Sequence, residues 1–144
     1  MLTVALAALT IVLNHQLAPS LAGHRIATQA DATRAFGAPT RVSKCDDRWP
    51  KLGLEVNTCG IGVEVTATTK GWGTAAGLQI GDTAARTHAL YPSGRSLDFL
   101  NRGTLWQLET GGAMCDGGPT LALAAKLAAG RVTALEVVRV PACG

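Results

Sequence analysis

Four cysteines are the residues whose chemistry the sequence defines most clearly. They are Cys45, Cys59, Cys115 and Cys143. The pair 45/59 is centred on a turn segment at residues 49–53, and the pair 115/143 on one at residues 128–131. A hairpin turn brings the residues on its two sides together, so the spacing predicts disulfides 45–59 and 115–143. Zinc binding is the alternative, but the chain has no Cys-x-x-Cys pair and neither His24 nor His88 stands at a ligand-like spacing.

The compartment follows from the same cysteines. Disulfides form in oxidising compartments, so an even number of cysteines predicts a secreted or extracellular protein. Residues 4–13 are apolar except for Thr10, and small residues follow at Ser20 and Ala22. This run is shorter than the roughly 20 residues that cross a membrane, and the small-x-small pattern is typical of a cleavage site. We therefore predict a signal peptide over residues 1–22, cleaved after Ala22; a buried N-terminal helix is the alternative.

Residues 23–144 are predicted to form a single domain, because a chain of about 120 residues buries one core. The formal net charge of +3 is spread without a run of Lys or Arg, which argues against nucleic-acid binding. No cysteine lies near the predicted cleavage site. We therefore expect neither a lipid anchor nor stable membrane insertion after cleavage.

An internal repeat predicts the helices of this domain. Residues 24–36 realign on residues 78–90 at an offset of 54. In each copy an Ile precedes a capping residue, Thr28 or Asp82, whose side-chain oxygen can accept from the first helical turn. A short helix is predicted in each copy, ended by Gly-x-Pro in the first and by Tyr-Pro in the second.

Segments that alternate between apolar and polar residues, or are rich in β-branched residues, follow each predicted helix. The expected strands cover residues 54–58, 61–65, 105–110, 120–127 and 132–140. Residues 120–129 are rich in Leu, Ala and Lys, so a helix is the alternative there, and residues 93–101 are predicted to be a loop. The predicted fold is α+β. Two repeated units, 23–70 and 71–144, each of a short helix followed by antiparallel strands, form one curved sheet with the helices on one face.

Catalytic motifs are weak in this sequence. Residues 115–119, Cys-Asp-Gly-Gly-Pro, and the upstream Gly-Trp-Gly resemble segments of chymotrypsin-like proteases, but the nucleophilic serine is missing and the chain is too short for two barrels. Nucleophile-elbow, phosphate-loop and dinucleotide motifs are absent. Asp46 and Asp47 are neighbours that would point to opposite faces of a strand, so they cannot work as an acid and base pair. We expect a non-enzymatic protein without cofactor or metal.

The helix unit resembles that of two families. A Gly, a hydrophobe, a capping residue, a short helix and a Pro-containing stop follow one another, as in the β-lactamase inhibitor protein family and in the small outer-membrane assembly lipoproteins. This match covers residues 23–39 and 77–92. The whole chain also resembles secreted actinobacterial proteins of uncharacterised activity, in which segments like 49–54, 72–74 and 77–82 recur. The resemblance implies two units on one curved sheet, and binding of another protein in the extracellular or envelope space.

Aromatic side chains are the predicted contact residues of such a binding module, because they bury a large area at a small entropic loss. They are Trp49, Trp72, Tyr91 and Trp106. Each could instead belong to the core, since the chain has only two Phe besides. A secreted enzyme of unknown type and a structural envelope protein without a specific partner are the alternative functions.

Overall fold

The computed structural model describes residues 9–13, 17–99, 103–111 and 119–141, and its elements are mostly strands. The helices are α1 (Gln29–Phe36) and α2 (Ala84–Leu90). The strands are β1 (Thr10–Val12), β2 (Ser20–Leu21), β3 (His24–Arg25), β4 (Thr40–Ser43), β5 (Asp46–Trp49), β6 (Leu54–Gly60), β7 (Gly62–Ala67), β8 (Gly73–Thr74), β9 (Arg95–Phe99), β10 (Gly103–Thr110), β11 (Pro119–Ala128) and β12 (Arg131–Pro141). The predicted α+β class is confirmed.

The strands form two sheets. An antiparallel sheet of eight strands has the order β4-β5-β6-β7-β12-β11-β10-β9. A second, small sheet has the order β3-β2-β1-β8, and in it β1 runs parallel to β8. The prediction of one sheet misses the second, because β1 and β2 lie in the segment assigned to the signal peptide. The two-unit organisation stays a prediction.

A tight hairpin joins β5 to β6, as the sequence predicts. Its connection is a 3₁₀ turn, Pro50–Leu52, followed by Gly53 in the left-handed region at φ 57°. A Cβ at Gly53 would collide with the Thr69 side chain, so only glycine fits there. Near the open end of the hairpin, Cys45 and Cys59 form the predicted disulfide, with their Cα atoms 5.1 Å apart. The predicted 115–143 disulfide lies outside the described residues.

Both helices begin at a threonine cap. Thr28 accepts a hydrogen bond from the Asp31 backbone, and Asp31 accepts in return from the Thr28 backbone, which completes a capping box for α1. For α2 the predicted cap, Asp82, is wrong by one residue. Thr83 accepts from the Arg86 N–H, while Asp82 accepts from the Gln79 N–H at 2.9 Å and so holds the preceding turn.

The strands of the second half differ from the prediction in one place. Residues 93–101 were expected to be a loop, but Arg95–Phe99 forms β9, which pairs with β10 so that Leu97 lies opposite Leu105.

The segment for which strand and helix were both considered, residues 120–129, belongs to strand β11 up to Ala128, and the helical alternative is wrong. Hydrogen-bonded neighbours on both sides and burial of residues 120–125 outweigh the helix propensity of its Leu and Ala residues.

The main core lies on one face of the large sheet. Its largest fully buried members include Trp72, Ile11, Leu21, Ile26 and Leu78. Helix α1 contributes Ala32, and Leu90 of α2 packs against the same cluster. The opposite face of β10–β12 carries a smaller cluster formed by Leu105, Ala122, Ala124, Val138 and Val140. Among the described residues, no helix combines the length and the apolar character that crossing a membrane requires.

Part of the predicted signal peptide belongs to the folded domain. Ile11, Ala18 and Leu21 are at most 3% exposed, and Ile11 and Leu21 are members of the main core. The described part of this segment forms strands β1 and β2 and not the helix considered as the alternative. Signal-peptide cleavage after Ala22 remains a prediction, and it would remove both strands.

Candidate interaction surface

Two of the four predicted contact residues are core residues. Trp49 and Trp72 are 5% and 0% exposed, and the ring of Phe36 packs edge-on against both. The indole N–H of Trp49 donates to the Gly37 carbonyl at 3.0 Å, and that of Trp72 donates to the Leu52 carbonyl at 2.7 Å. Both rings are buried, as the core alternative expects, and their role as contact residues stays a prediction. A domain with so few aromatic residues uses the largest ones to fill its core.

The other two aromatic residues, Tyr91 and Trp106, are half-buried and lie near α2. The Tyr91 hydroxyl donates to Thr74 Oγ1 at 2.7 Å, and burial raises the pKa of this phenol. The His88 ring lies 4.6 Å from the Trp106 ring, centroid to centroid. Gly94 lies so close to Trp106 Nε1 that a Cβ there would collide with it. Both aromatic residues are partly buried and pack against the main core.

A surface that the sequence analysis missed lies on the outer side of β5, β6 and β7. The alternation of these strands turns Asp47, Trp49, Val56 and Val65 towards the core. The residues between them face outward and form a surface that we name the polar face. It consists of Asp46, Arg48, Glu55, Asn57, Glu64 and Thr66. The pattern Asp-Asp-Arg-Trp before the turn and Leu-Glu-Val-Asn after it is the signal that could have revealed this surface.

The register of the hairpin sets the geometry of the polar face. Arg48 lies opposite Glu55, and Asp46 lies opposite Asn57. Arg48 Nε donates to Glu55 Oε1 at 3.1 Å. Asp46 is the diagonal neighbour of Glu55, at a separation that long side chains bridge. Beside this group is a groove of about 320 Å³ that Arg48, Glu55, Thr66 and Thr68 line together with Pro50, Gly53 and Leu54.

The electrostatics of the polar face centre on Asp46. Burial is the largest of the effects that raise its pKa to about 6; a hydrogen bond with Glu55 and repulsion by its charge act in the same direction, and Arg48 acts in the opposite direction. Asp46 Oδ1 is buried and finds no donor among the described side and main chains. Two carboxyl groups can hydrogen-bond to each other only if one is protonated. The carboxyl groups of Asp46 and Glu55 therefore need one more positive charge nearby, or one proton, to be fully satisfied.

Asp47, the neighbour of Asp46, has a structural role. Its side chain is 1% exposed and accepts from Arg41 Nε at 2.9 Å, from Arg41 Nη2 at 3.3 Å and from Gln29 Nε2 at 3.2 Å. These bonds connect α1 and β4 to β5. They satisfy the Asp47 carboxylate completely, in contrast to Asp46 on the other face, which confirms that the two carboxylates point in opposite directions.

Metal binding finds no support in the part of the chain that the structure describes. No three His, Cys, Asp or Glu residues there are grouped so that they could hold a metal ion. Comparison with known proteins adds no further assignment: the chain matches no protein-family model, no curated protein and no solved structure.

Proposed function

We propose that the protein is a non-enzymatic, protein-binding module of the extracellular or envelope space, and that its polar face is the binding surface. The Cys45–Cys59 disulfide is compatible with an extracellular location. The family resemblance of the two helix units supports protein binding as the activity. The half-buried Trp106 lies on β10, which is not a neighbour of β5–β7 in the large sheet, and Tyr91 caps the end of α2, so the proposal does not depend on them.

The observation that carries this proposal is the unsatisfied carboxyl pair beside the groove. Among the described residues, Arg48 is the cation that pairs with Glu55 and lowers the pKa of Asp46, and its side chain is 52% exposed. A Lys or Arg side chain from a partner, placed in the groove against Glu55, would supply the missing positive charge beside this pair. Part of the required desolvation is already complete, because the carboxyl group of Asp46 is partly buried in the free protein. The partner is therefore a protein that inserts a basic side chain into the groove.

An affinity experiment tests this proposal. The full chain serves as bait for culture fluid and envelope extract of the producing organism, and the retained proteins are identified by mass spectrometry. The same experiment is run with the double variant Asp46→Asn/Glu55→Gln and with Asp98→Asn. Asp98 is an exposed acidic residue on β9, and it serves as the control for loss of negative charge elsewhere.

The expected result is a protein retained by the wild type and by Asp98→Asn, with at least about tenfold weaker retention by the double variant. Elution by moderate salt would agree with a contact between charges. Retention of the same protein by all three baits would exclude the polar face as the binding surface. Retention of nothing above background by the wild type would contradict protein binding itself.

A further inference from the structure

The predicted cleavage site after Ala22 lies inside a hairpin of the folded domain. Strands β2 and β3 pair with Ser20 opposite Arg25 and Leu21 opposite His24. The two residues between them, Ala22 and Gly23, have φ values of 51° and 81°, as a two-residue hairpin loop requires. The Ala22 N–H donates to the Thr10 carbonyl at 2.9 Å, which ties this hairpin to β1.

Removal of the preceding residues would take away a part of the core. Ile11 and Leu21 are 1% and 0% exposed and belong to the cluster that contains Trp72. β8 would lose β1 as its parallel neighbour, and β3 would lose β2, the strand it pairs with in the described structure. The Val63 N–H would lose its bond to the Leu17 carbonyl. A chain that starts at Gly23 would therefore expose apolar surface and unpaired backbone groups.

The repeat offset supplies an independent argument. Adding 54 to the residues of β1 gives positions 64–66, inside β7, and adding 54 to Ser20 gives Thr74 in β8. Gly23 and Gly77 are related by the same offset, and both have positive φ, at 81° and 98°. The segment before Ala22 therefore precedes α1 at the same sequence offset at which β7 and β8 precede α2, although β1 lies in the small sheet and β7 in the large one.

A similar backbone contact precedes each helix, with donors 54 positions apart and acceptors 53 positions apart. The Ile26 N–H donates to the Pro19 carbonyl at 2.9 Å, and the Ile80 N–H donates to the Trp72 carbonyl at 3.2 Å. In both places the chain folds back on a residue seven or eight positions earlier, just before a helix. We propose that residues 9–13 and 17–22 are a retained, structural part of the mature domain and contain the first strands of its N-terminal unit. Any cleavage during export then falls before Leu9.

Mapping the N-terminus of the exported protein tests this directly. The full chain is expressed with export in the producing organism or a close relative, and the recovered protein is analysed by N-terminal sequencing and intact mass. The expected N-terminus lies at or before Leu9. An N-terminus at Gly23 in folded, recovered protein would overturn the proposal.

A pair of conservative variants gives a second measurement. Ile11 is 1% exposed and Val12 is 37% exposed, and changing either one to Ala leaves the apolar run intact. If the segment is retained, Ile11→Ala lowers the Tm of the recovered protein by about 10 °C, while Val12→Ala lowers it by about 2 °C or less. If the segment is removed, the two mature proteins are identical and their Tm values equal that of the wild type, which would overturn the proposal.

The milder change Ile11→Val covers the case in which Ile11→Ala does not fold. It should lower the Tm by about 3 °C. A retained segment also predicts a second pattern: Ile11→Ala yields no folded protein, Ile11→Val shows a small decrease in Tm, and Val12→Ala folds normally. A leader that is removed could not produce this pattern, because the three mature proteins would then be identical.

Discussion

Arg48 on β5 and Glu55 on β6 lie opposite each other across the hairpin, and Arg48 Nε donates to Glu55 Oε1 at 3.1 Å. This ion pair leaves Asp46, the diagonal neighbour of Glu55, without a cation of its own. The pKa of Asp46 is raised, chiefly by burial and then by Glu55, and its Oδ1 has no donor among the described residues.

Stability should fall as the pH rises through the range in which Asp46 loses its proton. The pKa of Asp46 is about 6 in the folded protein, against 3.8 for an ordinary Asp. Between these two values the folded state binds more protons than the unfolded state, so the free energy of unfolding decreases with increasing pH. Asp46→Asn cannot ionise and should be more stable than the wild type above pH 6, by about 1 kcal/mol after allowance for solvent screening.

Urea unfolding at several pH values between 4 and 8 measures this effect. The difference between wild type and Asp46→Asn removes the contributions of all other titrating groups. The two stability curves should diverge as the pH rises towards 7. Parallel curves over the whole range would contradict the raised pKa.

Removal of the charge on Glu55 should lower the pKa of Asp46. Glu55 raises it through a hydrogen bond and through repulsion, but burial is the largest cause. In Glu55→Gln the pKa of Asp46 should therefore fall below about 6 and still exceed the ordinary value. NMR titration of the Asp46 side-chain carboxyl measures both values. Glu64→Gln is the control, because Glu64 bonds to Arg139 and should leave the Asp46 titration unchanged.

Because Trp72 is a core residue, we expect Trp72→Phe to lower the free energy of unfolding more than Trp106→Phe does. Trp72→Phe removes a hydrogen bond of 2.7 Å to the Leu52 carbonyl. That carbonyl then loses this donor, and the smaller ring leaves a small cavity. The expected loss in the free energy of unfolding is about 2 kcal/mol or more. Trp106 Nε1 has no acceptor within the described structure, so Trp106→Phe should cost about 1 kcal/mol less than that. Guanidinium unfolding of both variants compares them, and equal losses would argue against the Trp72 bond.

The Cys45–Cys59 disulfide should stabilise the domain by restricting the unfolded chain. The two residues are 14 positions apart, and a loop of that size corresponds to about 3 kcal/mol. Cys45→Ser/Cys59→Ser should lose about that much in the free energy of unfolding, measured under oxidising conditions so that the other cysteines are unaffected. An unchanged unfolding midpoint would show that the bond does not form in the protein.

Of the candidate surface, the hairpin of β5 and β6 could be predicted from the sequence. The turn at residues 49–53 and the symmetric placement of Cys45 and Cys59 around it are local features, and both are confirmed. The polar face itself was missed, because the sequence shows adjacent charges but not which of them face one another. That pairing depends on the register of β5 against β6, which places Arg48 and not Asp46 opposite Glu55.

The sequence by itself determined the features that arise from interactions between near neighbours. The cap at Thr28, the end of α1 before Gly37, the alternation in β6 and β7, and the disulfide around the first hairpin all follow from residues a few positions apart. Such local preferences hold whatever the rest of the chain does, which is why they can be read without a structure.

Only the tertiary structure decided the remaining questions. It placed Trp49 and Trp72 in the core, formed a strand at Arg95–Phe99 where a loop is predicted, and inserted Ile11 and Leu21 beside residues far along the chain. The physical reason is the same in each case. Burial against distant partners and hydrogen bonds to neighbouring strands are worth more than the weak local preferences of these segments, and the sequence does not show which distant residues will meet.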